Sequence, residues 1–436
     1  MDYVTRGSGI YGILAFVPIA KWMSSVMETR RRRRLFLAGL VTVVAVFIAV
    51  IPGKRGWFDV GVYYGAIHHW FEDGGSLYDY IKPDSTYGFT YPPFAALCML
   101  PMLLFTWHQA VAVSVVLTAF ASAVLLYWLV DPIAQRQGWN RPFTFVIAAC
   151  MFALLEPVRD TVSFGQVNLL LLALVYVDYR LLTTGRERWA GFAIGLAAAI
   201  KLTPAIFIIY LLLTKRTRPA LIAIATAATA TLFAAQVDPT QSLVFWTDAL
   251  LDTNRVGVFA YVSNQSLQGV LARLSPPTPG TIFWAIAVAA TLWIWFKKIR
   301  QSDDRSGFAL TGIIACLISP ITWVHHLVWV IPALIIMGDT ALLAPPERKA
   351  RAKKLAIWLY AAMCSSVVWL WGANSSGIYG FIGSNTYVWV TLILFFTVPV
   401  VTAQSATQTS LLPTPRLALQ SEIAARPRRV SELIRR

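Results

Sequence analysis

Few side chains in this 436-residue sequence combine chemistry and spacing suited to acting on a ligand. Asp59 lies in the segment 53–92, which mixes aromatic rings, glycines and acids. Trp57, Phe58, Tyr63 and Tyr64 stand beside it, and Tyr91 lies near the end of the segment. Rings stack on the apolar faces of sugars and carboxylates accept hydroxyl protons, so the mixture suits a carbohydrate site. Taken alone, Asp59 also reads as an interfacial acid within an aromatic belt. Lys201 interrupts an apolar stretch as Ile-Lys-Leu-Thr-Pro. A lysine at membrane depth costs ~2.5–3.5 kcal/mol on insertion scales and usually faces a cavity. Phosphate is its natural partner there, and snorkelling to the interface is the alternative.

Two histidine pairs, His68–His69 and His325–His326, titrate near neutrality when unperturbed. Adjacent residues on a helix point ~100° apart, which disfavours a shared metal. We expect no metal, and a hydrogen-bonding or acid–base role for one member of the second pair. Gln166 and Asn168 in Ser-Phe-Gly-Gln-Val-Asn, with Asn264 and Gln265 in a long loop, carry amides suited to orienting sugar hydroxyls or to capping backbone. No Gly-rich phosphate loop, Gly-x-Ser-x-Gly elbow or zinc motif is present.

The elements that position these residues follow from composition. The chain is 57% hydrophobic and 13% charged, about half the charge of a soluble domain, with a mean hydropathy of +0.61. A helix needs ~20 apolar residues to cross a bilayer. Apolar spans fall at 35–52, 110–130, 143–157, 168–183, 190–214, 219–237, 281–296, 308–320, 327–343, 354–372 and 386–402. The 190–214 stretch, broken at Lys201 and Pro204 and flanked by basic residues, reads as two short helices going out and back. The piece 93–106 is short for a span. This predicts an all-α polytopic membrane protein with about twelve crossings, outer loops and short interfacial helices.

Charge sets the orientation. Segments assigned inside hold 30 of the 37 Lys and Arg and 11 of the 21 acids, a balance of +19; the outer segments hold 7 and 10, a balance of −3. The net +16 therefore needs no nucleic-acid partner. Both termini fall inside, as a basic segment 1–34 and a basic tail 403–436 around a membrane domain 35–402. The outer face carries Asp59, Lys201 and the second His pair. Cys98, Cys150, Cys316 and Cys364 lie in apolar stretches without ligand spacing and read as buried hydrophobes.

Asp59 in the first outer loop, Tyr-Gly-Phe-Thr-Tyr-Pro-Pro-Phe after it, Gly-Gln-Val-Asn before a span, Ala-Ile-Lys-Leu-Thr-Pro between short helices and Asn-Gln-Ser-Leu-Gln-Gly in a large outer loop together resemble the GT-C superfamily of integral-membrane glycosyltransferases. Within it, they resemble family 87. The likeness covers residues 35–400. It implies a GT-C fold in the plasma membrane and a periplasmic active site. It also implies a lipid donor, polyprenyl-phosphate mannose, a phosphatidylinositol mannoside acceptor, an inverting α-(1→2) transfer, and no cofactor. On that likeness Asp59 is the general base. The phosphate falls to Lys201 with His325 or His326, aided by Lys54, Arg55 or Arg255. Sugar or acceptor contacts fall to Trp57, Tyr63, Tyr64, His68, Tyr91, Gln166, Asn168, Asn264 and Gln265. The absence of an Asp-x-Asp pair in the first outer loop fits a donor needing no divalent metal. A lipomannan-branching or arabinofuranosyl transferase on the same scaffold is the nearest alternative. A lipid or polyol transporter is the alternative of another class, disfavoured because no inverted repeat is visible.

Overall fold

A computed structural model describes residues 29–400 except 52, 54, 253–254, 275–279 and 373–375. Lys54, most of the segment 1–34 and the tail 403–436 lie outside the described residues. Among the described residues the chain is helical and contains no strand. In order, the α-helices are α1 (Arg30–Val50), α2 (Phe58–Phe71), α3 (Pro93–Met99), α4 (Trp107–Arg136), α5 (Arg141–Leu154), α6 (Glu156–Phe164), α7 (Asn168–Thr183), α8 (Phe192–Ile200), α9 (Ile206–Leu213) and α10 (Thr217–Val237). They continue with α11 (Pro239–Val244), α12 (Leu267–Leu274), α13 (Thr281–Ile299), α14 (Asp304–Ile318), α15 (Ile331–Leu343), α16 (Pro346–Cys364), α17 (Gly377–Ser384) and α18 (Thr386–Thr397).

Among the described residues five helical segments are long and apolar enough to cross a membrane: α1, α4, α10, α13 and Val324–Leu343, in which a 3₁₀ turn runs into α15. Two bent pairs, α5–α6 at 73° and α17–α18 at 58°, raise this to seven. The twelve crossings expected from sequence go beyond that number. Part of the difference is that α7, α14 and the Lys201 half-helices are shorter than a full span. The protein is a multi-pass membrane protein. The expected span 354–372 is shifted: α16 starts at Pro346 and ends at Cys364, where Ser366 takes a left-handed φ of 56°. The bend at Leu155 comes from Pro157, which fits the first turn of α6 but could not continue α5. Apolar on all sides, α14 is buried along most of its length and forms the centre of the bundle.

Ion pairs gather at one end of the bundle. Asp339 takes both Arg136 and Arg305, Arg141 pairs with Asp131 at 2.6 Å, and Arg216 pairs with Asp304 at 2.5 Å. The Lys201 interruption faces the other way. Gly191 packs on the backbone of Pro219 and Ala223, and Gly195 on Ala223 and Thr226, so α8 runs parallel to α10 from the same end. The chain leaves α9 at Leu213 and re-enters α10 at Thr217, back at that end. The expected out-and-back pair is therefore present, with Lys201 at its apex. Nine helical residues reach about 13 Å, so the apex stands near half of a ~30 Å hydrocarbon layer. The buried Asp178 carboxylate anchors the hairpin by accepting the Ile194 N–H at 2.7 Å.

Candidate active site

Asp59 sits in the first turn of α2. The turn before it is forced: Trp57 has a left-handed φ of 52°, costly for a bulky residue and sustained only by outside contacts. Those contacts come from Ser163 in α6. Its carbonyl accepts the Trp57 N–H at 2.8 Å and its hydroxyl accepts the Arg55 N–H at 2.5 Å. Two residues on, Gly165 closes α6 with φ 71°, and a Cβ there would lie 2.0 Å from the Val60 side chain. Ser163, Gly165 and Gln166 thus form one cradle for the start of α2. The Ser-Phe-Gly-Gln spacing is explained by it, and Ser163 is the member that sequence reading left without a role.

The Gln166 amide donates to the Asp59 carboxylate at 2.9 Å, and its carbonyl accepts the Tyr91 hydroxyl at 2.8 Å. The Tyr91 oxygen then has two lone pairs left. They receive the Tyr63 hydroxyl at 2.9 Å and the Lys201 ammonium at 3.3 Å. Lys201 also donates to the Asn168 carbonyl at 2.9 Å, and its Nζ lies 3.1 Å from His326 Nε2. The Tyr91 ring faces the same ammonium at 4.9 Å. One connected network therefore joins Asp59, Gln166, Tyr91, Tyr63, Lys201, Asn168 and His326, each of them a candidate from sequence. Burial pushes the Asp59 carboxyl up to about 6, against the opposing pull of the Gln166 hydrogen bond and the Lys201 charge.

The network also separates the two histidines. His326 Nδ1 accepts the Trp323 N–H at 3.1 Å, so a neutral ring carries its proton on Nε2, the atom facing Lys201. Two donors then converge without an acceptor between them, an arrangement that suits a shared anion. His325 points elsewhere. Its buried ring stands edge-on to Phe164 at 5.0 Å, and neither ring nitrogen has a partner. Its carbonyl accepts from Thr161 at 3.2 Å and Asn168 at 3.3 Å, which fixes the backbone that presents His326.

Other expected residues do not join this network. The Arg55 guanidinium lies 3.6 Å from Asp160 and 4.5 Å from the Trp369 ring. Arg255 donates to the Tyr78 carbonyl. Tyr64 donates to the Phe105 carbonyl at 3.0 Å, and His68 bonds the Tyr64 carbonyl at 2.8 Å. The Trp57 ring is exposed. Asn264 and Gln265 are fully engaged with backbone. Both Asn264 amide hydrogens go to the carbonyls of Phe259 and Pro320, and those of Gln265 to Val262 and Ser384. Their own carbonyls accept from Thr322 and Val388. These amides fasten their loop to the bundle and have no hydrogen left for a sugar.

The sequence pattern of glycosyltransferase family 87 matches residues 89–320. A polyprenol-phosphate-mannose-dependent alpha-(1-2)-phosphatidylinositol mannoside mannosyltransferase of Mycolicibacterium smegmatis is 31% identical over 371 residues, 77% of this chain and 79% of that one. The protein of the same description from Mycobacterium tuberculosis is 32% identical over 305 residues, 66% of this chain and 68% of that one. A second M. smegmatis protein, described as a polyprenol-phosphate-mannose-dependent alpha-(1-2)-phosphatidylinositol pentamannoside mannosyltransferase, is 29% identical over 361 residues, 77% and 82% of the two chains. No solved structure matches significantly.

Proposed function

Since the chain belongs to glycosyltransferase family 87, we propose that it transfers mannose from polyprenyl-phosphate mannose to a phosphatidylinositol mannoside, forming an α-(1→2) linkage on the periplasmic face with inversion. The observation that carries this reading is the unbroken chain of contacts from Asp59 through Gln166 and Tyr91 to Lys201 and His326. It supports the reading because one network links a carboxylate to two nitrogens suited to an anion.

In the reaction, the acceptor hydroxyl gives its proton to the Asp59 carboxylate while its oxygen attacks the anomeric carbon of the donor. The bond from that carbon to the phosphate oxygen breaks, and its electron pair leaves with the polyprenyl phosphate. The new charge falls between Lys201 Nζ and His326 Nε2–H, donors already in place before the reaction. A carboxyl titrating near 6 suits a general base, since it is ionised about ten to one at pH 7 yet basic enough to take a proton. Of the other candidates, His325 and Arg55 serve the reaction only through their own backbone, the His325 carbonyl held by Thr161 and Asn168 and the Arg55 N–H by Ser163. The catalytic unit is residues 35–402.

The test uses full-length protein purified in detergent, polyprenyl-phosphate mannose, and a phosphatidylinositol mannoside. Asp59→Asn keeps the shape and the Gln166 contact but cannot take a proton. Transfer should fall by ~10²–10⁴-fold while donor binding persists. Near-normal turnover would remove Asp59 from the mechanism. Activity with a nucleotide sugar alone would overturn the donor assignment.

A further inference from the structure

We propose that the bundle holds an anionic phospholipid at the end remote from Asp59 and Lys201, with its acyl chain in a groove between α9 and α13 and its phosphate on Lys297 and Arg300. The groove encloses about 520 Å³, within the ~300–1,000 Å³ typical of ligand clefts. Ile206, Ile209 and Leu213 form one wall and Leu292, Trp293 and Phe296 the other, with no charged side chain among the lining residues. A second cavity of about 320 Å³ shares Trp293 and Phe296 and adds Lys297, Arg300 and Gln301. An oily slot thus opens directly onto a cationic mouth.

The cations are held there. The Lys297 ammonium lies 4.5 Å from the Trp293 ring centre, and the Arg300 guanidinium lies 5.2 Å from that of Phe296. Among the described residues neither has an acidic partner. Charge left unpaired at a membrane-facing helix end, beside a Trp with its ring more than half exposed, is complementary to a phosphate headgroup.

The end of the bundle decides the occupant. Arg300 is followed at once by α14, whose fifteen residues rise about 22 Å before the chain reaches His326. The cationic mouth therefore opens to the leaflet opposite the one that faces Lys201. A lipid with its head at Lys297 belongs to that leaflet, which excludes the mannosyl donor in the pose given above. The rival occupant is the polyprenyl tail of that donor, reaching the groove from the Lys201 side past Ile206.

Full-length protein would be placed in nanodiscs of phosphatidylglycerol or of phosphatidylcholine. Native mass spectrometry would score retained lipid, and a thermal ramp would score stability. The wild-type protein should retain phosphatidylglycerol and melt higher in it. K297Q/R300Q should bind it about thirtyfold more weakly, roughly fivefold for each charge removed, with an unchanged KM for polyprenyl-phosphate mannose. Ala289→Trp, which fills the groove from an exposed position, should abolish retention. Equal retention of both lipids by the wild type, or undiminished phosphatidylglycerol binding by K297Q/R300Q, overturns the site. A raised donor KM in Ala289→Trp without any retained phospholipid assigns the groove to the donor tail and overturns the proposal, leaving the transfer reaction intact.

Discussion

Replacing Gln166 by Met tests the network where base and leaving-group ends meet. Met has nearly the same length and no hydrogen bond to give, so it removes the 2.9 Å donation to Asp59 and the acceptor for Tyr91 without opening a large void. A hydrogen bond to a charged group contributes ~1.5–3 kcal/mol. At 1.36 kcal/mol per pKa unit, losing it should raise the Asp59 carboxyl by about one to two units above its value of about 6. The sign follows from the role: a general base works when deprotonated, so the rate rises with pH through the carboxyl's pKa. Wild-type kcat/KM should therefore climb across pH 5–7 and level off. In Gln166→Met the same limb should move to about 7–8, so that activity at pH 7 is halved or cut about tenfold and recovers by pH 9. The assay is initial-rate transfer of radiolabelled mannose from the lipid donor across that range, in one detergent. A profile that falls uniformly without shifting would mean that Gln166 is only structural, and an unaltered profile would detach it from Asp59 altogether.

Three further outcomes follow from the same geometry. Lys201→Met removes the ammonium that meets Tyr91, Asn168 and His326, and should lower kcat by ~10²–10³-fold, the range for one preorganised donor at a developing charge; single-turnover rates distinguish this from lost binding. His326→Leu should cost ~10–100-fold from one charge-assisted hydrogen bond, whereas His325→Leu should stay within about threefold, because no ring nitrogen of His325 has a partner to lose; equal effects would refute the assignment. Asn264→Ala leaves the carbonyl of Phe259 and the N–H of Thr322 unpaired, at ~1–3 kcal/mol for each buried group, while the Pro320 carbonyl keeps the Ser266 hydroxyl; the melting temperature should drop by several degrees with KM unchanged, and a changed acceptor KM at wild-type stability would restore it to the site.

The candidate residues that meet in one network share a property that can be weighed from sequence. Lys201 is expensive where it stands, and Gln166 and Asn168 open a span, so each needed a polar partner within reach and found one. Asn264 and Gln265 looked equivalent by residue type and side of the membrane, but type does not reveal what the backbone nearby leaves unpaired. Their own loop turns without regular structure and presents the carbonyls of Phe259 and Val262, and the helix breaks near Thr322 and Ser384 present an N–H and a carbonyl, all of which those amides satisfy. The same limit applies to Arg55. Its partner Asp160 is more than a hundred residues away, and nothing local announces that the two meet. Helix lengths failed for a different reason: hydropathy records how apolar a stretch is, and a break such as that at Pro157 or Ser366 changes its direction without changing its composition.

Depth gives the arrangement its chemical sense. Asp59 begins a helix that lies outside the spanning segments, whereas Lys201 is carried to the apex of a half-height hairpin anchored from below by Asp178. The proposed base is thus presented from outside the spanning segments and the cation from within them. A polyprenyl phosphate has the complementary polarity, with a lipid tail, a phosphate at the boundary and a sugar beyond it. In the proposed reaction such a donor has its phosphate at Lys201 and its anomeric carbon towards Asp59. Both groups act there from one frame, because Gln166 and Tyr91 link Asp59 to Lys201 by hydrogen bonds. A soluble nucleotide-sugar donor would have no reason to place its leaving phosphate at that depth.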